Sequence, residues 1–217
     1  MFNLLNKSVI ALGLCVIGTA HADSILKYEK VGSSGDKQTI TVSITGRWLR
    51  IDNEGKEKPD YTLMDTGRLI MFEVDDDAKR YTATRMNKAY WPDMLPPKLM
   101  PVQEKATVSG IRCQKVHEMG TKAPKAEHCM TAGVQLGLNA RETITLSRLL
   151  MVTRKMGWDW NGVSTPDERQ VSVQSRSLDG NMSLTFKSVE HKAIPDNRVK
   201  IPDTYKQNWA DQKKPAK

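Results

Sequence analysis

From Ile25 onward the chain is dominated by apolar and polar positions that alternate with a period of two, the pattern of strands with one face in a core. Ile25 to Val31 is followed by the turn-rich Gly32-Ser33-Ser34-Gly35-Asp36, after which Ile40, Val42 and Ile44 alternate with Thr41, Ser43 and Thr45 as the return strand of a hairpin. At Gly46 the apolar phase slips, and a third strand runs through Arg47, Trp48, Leu49, Arg50 and Ile51. Tyr61 to Met64, Leu69 to Val74 and Arg80 to Thr84, separated by Asp65-Thr66-Gly67 and Asp75-Asp76-Asp77, form a meander. In its middle strand Ile70, Phe72 and Val74 share one face while Leu69 and Met71 share the other. Both faces therefore need covering, either by packing in a core on both sides or with one of them lining a cavity.

The alternation breaks from Tyr90 to Pro101, where Pro92, Pro96, Pro97 and Pro101 oppose regular pairing and Trp91, Met94, Leu95, Leu99 and Met100 remain apolar. This reads as an ordered excursion, either buried against the domain or serving as a cavity lid or a docking patch. Strands resume at Val102 to Val108, Arg112 to Glu118 and Ala126 to Thr131. One helix is predicted near Asn139 to Met156: Asn139 caps it, Glu142 completes a capping box, and Leu146, Leu149, Leu150 and Thr153 follow helical spacing up to Gly157. A last hairpin runs through Val171 and Val173, turns at Asp179-Gly180 and returns through Met182, Leu184 and Phe186. The pattern predicts one α+β domain over 23–205, mostly antiparallel, with a basic, frayed tail over 206–217.

Residues 1–22 read as an export signal: Lys7 precedes the apolar run Val9 to Thr19, which ends in the small-residue site Ala20-His21-Ala22. The run is too short to span a bilayer, and Cys15, preceded by the bulky Leu14, does not fit a lipid-attachment site. The expected product is a soluble periplasmic protein beginning at Asp23. Of the 217 residues, 33 are Lys or Arg and 25 Asp or Glu; without Lys7 the mature chain keeps a net charge of +7. Export argues against nucleic acid as the partner for this charge, and an anionic membrane surface fits it better.

Several pieces then resemble an uncharacterised family of exported bacterial domains related in pattern to the periplasmic carriers of outer-membrane lipoproteins, the lipoprotein localisation factor-like superfamily. They are Gly46-Arg47-Trp48-Leu49-Arg50-Ile51-Asp52, Met64-Asp65 with the Tyr81 strand, Gly110-Ile111-Arg112-Cys113 before a second cysteine, and Ile194-Pro195 leading to Val199-Lys200-Ile201-Pro202-Asp203-Thr204-Tyr205. The resemblance implies a strongly curved antiparallel sheet, an unclosed half-barrel, with the helix on its concave face and an apolar space between them for acyl chains.

In an oxidising compartment Cys113 and Cys129 are expected to form a disulfide. The competing arrangement is a zinc or copper site from Cys113, His117, His128 and Cys129, which would need a bulge to bring the adjacent His128 and Cys129 to one side. The methionines are scattered, without a clustered Met-x-x-Met run, and suit an irregular core or an adaptable apolar lining better than cuprous ion. The mature chain has three histidines, His117, His128 and His191, and no nucleophile-elbow, Walker or zincin motif. No enzyme activity and no cofactor are expected, and the acidic run Asp75 to Asp77 reads as a solvated turn.

The leading functional expectation is a carrier or binding protein for an apolar or lipid-like ligand. Its lining would be Ile70, Phe72 and Val74 of the two-faced strand, Leu146, Leu149 and Leu150 of the helix, and Trp91 or Leu95 at the mouth. The alternative is an envelope interaction or sensor module that docks a protein through the 90–101 loop and a sheet edge.

Overall fold

The computed structural model describes residues 23–53, 59–86, 97–155 and 162–209. One meander comprises β1 (Ser24–Val31), β2 (Lys37–Thr45), β3 (Trp48–Asn53), β4 (Tyr61–Asp65), β5 (Ile70–Asp75) and β6 (Arg80–Arg85). A second comprises β7 (Leu99–Val108), β8 (Ile111–Met119), β9 (Pro124–Ala132), β10 (Gln170–Ser177) and β11 (Ser183–His191). Because β1 pairs antiparallel with β11, the two meanders join at their first and last strands into a single sheet. The sheet is open, its edges being β7 at one end and β12 (Lys206–Trp209) at the other. The strand β12 pairs in parallel with β6, so the sheet continues over four residues assigned above to the frayed tail.

The proline-rich segment joins the sheet earlier than its prolines suggest. The edge strand β7 begins at Leu99 and contains Pro101, which faces Val116 before the register shifts by Lys105. An edge tolerates a residue with no N–H to donate, and the bulge absorbs the break. The rest of the excursion, including Trp91, Met94 and Leu95, lies outside the described residues.

The helix α1 (Ala140–Lys155) begins as its sequence predicts. Asn139 N–H donates to Glu142 Oε2 at 2.9 Å and Glu142 N–H donates to Asn139 Oδ1 at 3.0 Å, a reciprocal capping box. Replacing Asn139 with alanine is expected to lower the unfolding free energy by about 1 kcal/mol. Urea denaturation measures this, and an unchanged midpoint would contradict the cap.

Leu146, Leu149 and Leu150 are buried in a core shared with Leu26, Ile40, Val42, Ile44 and Leu49. The curvature of the sheet follows from one side chain beside that stripe. Arg148 donates from Nη1 to the Thr66 carbonyl in the β4–β5 turn at 3.1 Å, and its Nε lies 3.4 Å from Glu168 just before β10. In a flat sheet, β4 and β10 would stand five strand spacings apart, about 24 Å. Both fall within reach of one arginine because the sheet rolls around the helix, which therefore occupies the concave side.

The other face of the first meander has its own cover. Tyr61, Leu63 and Val74, with Phe72 and Tyr81 partly buried beside them, pack against Ile194, Val199, Ile201 and Tyr205 of the C-terminal segment. Polar ties hold this strap: Arg198 Nη2 donates to Asp52 Oδ2 at 2.8 Å, Arg50 Nη1 donates to the Arg198 carbonyl at 3.0 Å, and Ile194 N–H donates to Asp23 Oδ2 at 2.8 Å. The Arg50 guanidinium also lies 3.7 Å from the centre of the Tyr61 ring.

Candidate ligand-binding site

Strands β8 and β9 pair with Gln114 opposite Met130 and Lys115 opposite Cys129. That register sets Cys113 and Cys129 diagonally across the ladder, with Cα atoms 5.3 Å apart, and their sulfurs are bonded. At the tip of the preceding hairpin, Ser109 and Gly110 have φ of 48° and 81°. A two-residue turn with both residues left-handed matches the twist of its strands. The Ser109 hydroxyl donates to the Phe186 carbonyl at 2.6 Å, tying the β7–β8 hairpin back to β11.

Beside the disulfide lies a cavity of about 670 Å³, lined by Lys105, Ala106 and Thr107 of β7, Arg112, Cys113 and Gln114 of β8, Met130, Thr131 and Ala132 of β9, and Gln170 of β10. This volume suits a small organic ligand. Lys105 faces Gln114, Thr107 faces Arg112, Gln114 faces Met130, and Ala132 faces Gln170. Directly opposed residues share a face, so these seven side chains form one surface, while Ala106, Cys113 and Thr131 alternate with them. Gln114 is fixed in place, its amide donating to the Glu104 carbonyl at 2.9 Å and to the carbonyl of Val102 in the β7 bulge.

The lining expected from the sequence is divided by the structure. Leu146, Leu149 and Leu150 belong to the main core. Phe72 and Val74 belong instead to the cluster under the C-terminal strap, and the half-buried Ile70 shares their strand face. Met71, alternating with them, is the β5 residue that joins the helix-side core through Met64 and Leu49. Period two separates the two faces but does not say which looks inward. Trp91 and Leu95 lie outside the described residues.

The Cys113–Cys129 bond also removes the thiolates on which the four-residue metal set depended. Of its histidines, His117 approaches Glu127 at 3.8 Å. His128 is 1% exposed, with Nδ1 2.9 Å from Ser175 Oγ and Nε2 3.2 Å from Glu118 Oε2. Lys125 pairs with the other Glu118 oxygen at 2.8 Å. This Ser-His-Glu chain has the connectivity of a nucleophile relay, but Ser175 is 0% exposed, so no substrate reaches its hydroxyl. Sequence spacing gave no sign of it, because the three residues meet only through pairing across β8, β9 and β10. Asp60, Asp75 and Asp77 bring carboxylate oxygens within 4.8 Å of one another, a hard-ligand grouping of the kind calcium or magnesium takes. Turn amides already use two of these carboxylates: Asp76 N–H donates to Asp60 and Ala78 N–H donates to Asp75.

Glu73 shares the face of Met71, opposite the buried Thr62. Burial pushes its carboxyl pKa up. The folded state therefore disfavours the charged form, a penalty present above the folded pKa and absent below the unfolded value of about 4.3. Glu73→Gln is expected to raise the unfolding free energy at pH 7 and to lose that gain at pH 3; an equal gain at both pH values would contradict the burial effect.

No protein-family model and no curated protein matches the chain. Solved structures do. An uncharacterized conserved protein from Thermus thermophilus superposes with a TM-score of 0.51 at 6% identity, over 88% of this chain and 92% of its own. The structure of PNGF-II in one crystal form superposes at 0.50 and 10% identity over 87% of this chain, which spans only 32% of that protein. A LolA superfamily protein from Nitrosomonas europaea, covered over 91% of its length at 6% identity, superposes at only 0.32. At these identities the first two likenesses show a shared fold and nothing of activity. Among the described residues, no helix is long and apolar enough to cross a membrane.

Proposed function

We propose that the chain is a non-enzymatic periplasmic binding or carrier protein for an apolar or lipid-like ligand, and that the ligand sits at the β7–β10 end of the sheet. The observation that carries this reading is the 670 Å³ cavity there. The helix leucines, which the sequence offered as lining, are already used in the core. A cross-strand disulfide supports an oxidising compartment. Burial of each ligand methylene contributes about 0.8 kcal/mol, so a short acyl chain binds usefully with little polar recognition.

Native mass spectrometry of the protein purified without detergent, followed by lipid extraction, tests the reading. A co-purifying small amphiphile is the expected result. The absence of any ligand, together with no thermal stabilisation by fatty acids, phospholipids or an acylated peptide, would overturn it.

One feature favours docking of an envelope protein as a second reading. The edge strand β7 is ten residues long and largely exposed, with Met100 46% accessible, a surface able to accept another strand. A stoichiometric protein band from detergent-free envelope extracts would support that alternative.

A further inference from the structure

We propose that the ligand of the β7–β10 cavity is an anionic amphiphile whose carboxylate or phosphate head is held by Arg112 and Lys105; this rests on the cavity being the binding site. Charge balance along these strands carries the argument. Five cationic side chains occur in β7 to β10: Lys105, Arg112, Lys115, Lys125 and Arg176. Three are matched with acids: Lys115 with Glu104 at 2.6 Å and Glu127 at 3.8 Å, Lys125 with Glu118 at 2.8 Å, and Arg176 with Glu127 at 3.6 Å. The other two, Lys105 and Arg112, have no ion pair among the described residues, and both line the cavity. Among the described residues, no acidic one lines it. Glu104, adjacent to Lys105 in the chain, is engaged by Lys115.

The register brings the two free cations together. Lys105 faces Gln114, and Arg112 stands two residues along the same strand face. Such diagonal neighbours are about 7 Å apart, within reach of one head group for two long side chains. On the same face as the two cations the surface turns apolar through Met130 and Ala132, while Ala106 and Cys113 alternate with these residues and turn toward the main core. An exposed guanidinium and ammonium beside the apolar Met130 and Ala132 complement a head that carries negative charge and a tail that does not.

The test compares dodecanoate, dodecyl phosphate, dodecanol and inorganic phosphate by isothermal titration calorimetry on the purified protein, on a Lys105→Gln/Arg112→Gln double variant and on a Lys115→Gln control. Both positions changed in the double variant are exposed, and circular dichroism checks that each variant is folded. Dodecanoate or dodecyl phosphate is expected to bind about tenfold more tightly than dodecanol, as charge-assisted hydrogen bonds provide, with a preference that salt weakens. The more tightly bound anion identifies the head group, and inorganic phosphate alone is expected to bind negligibly. The preference should vanish in the double variant and persist in the control. Equal binding of dodecanol, or a preference that survives in the double variant, would overturn the anionic assignment while leaving the apolar carrier intact. Failure of every chain-bearing probe would overturn the carrier reading as well, and tight binding of phosphate alone would make the cavity an anion site without a tail pocket.

Discussion

Replacing Phe186 with alanine is expected to lower the unfolding free energy by about 4 kcal/mol, the largest single-site effect anticipated for this fold. Phe186 is 2% exposed and stands directly opposite Tyr28 in the β1–β11 ladder, with ring centroids 5.7 Å apart in an edge-to-face arrangement. That ladder joins the two meanders, so a void here loosens the seam of the sheet as well as removing buried apolar surface. The Phe186 carbonyl also accepts the Ser109 hydroxyl, so backbone movement at this position would reach the β7–β8 hairpin beside the cavity. Urea denaturation provides the measurement. A loss below about 1.5 kcal/mol would mean that the seam collapses around the void or was never tightly packed.

Removing the disulfide by Cys113→Ala/Cys129→Ala is expected to cost about 3 kcal/mol, the loop-closure value for a bridge of this span. The two cysteines are 16 positions apart and almost fully buried, at 5% and 3% exposure. They brace β8 to β9, two of the strands that line the cavity, so ligand binding should weaken along with stability. Comparison of urea midpoints for the variant and the oxidised parent decides the matter. Equal midpoints would show that the paired strands hold their register without the bond.

Much of this architecture was legible in local pattern. Alternation at Ile40, Val42 and Ile44 marked a strand whose three apolar side chains are all buried, and Asn139 with Glu142 marked the start of the helix. Compartment chemistry anticipated the pairing of Cys113 with Cys129. What pattern did not resolve was direction. On β5 both faces are apolar, and only tertiary packing decides that Met71 looks toward the helix while Phe72 and Val74 look toward the strap. Strand β12 left no periodic trace, because Lys206–Trp209 is short and polar and joins the sheet only through its distant partner β6. The cavity was equally silent. Its residues come from four strands and are mixed in polarity, so no single segment announces it, and the separation of paired from unpaired cations emerges only once the register is known.

The most direct test of the central claim is amide chemical-shift mapping by nuclear magnetic resonance while dodecanoate is added to the oxidised protein. Binding at the β7–β10 end predicts that the largest shifts occur at Thr107, Cys113, Thr131 and Gln170, with the helix amides from Leu146 to Leu150 little changed. Shifts concentrated on that helix and on Met71, or no shifts at any residue, would contradict it.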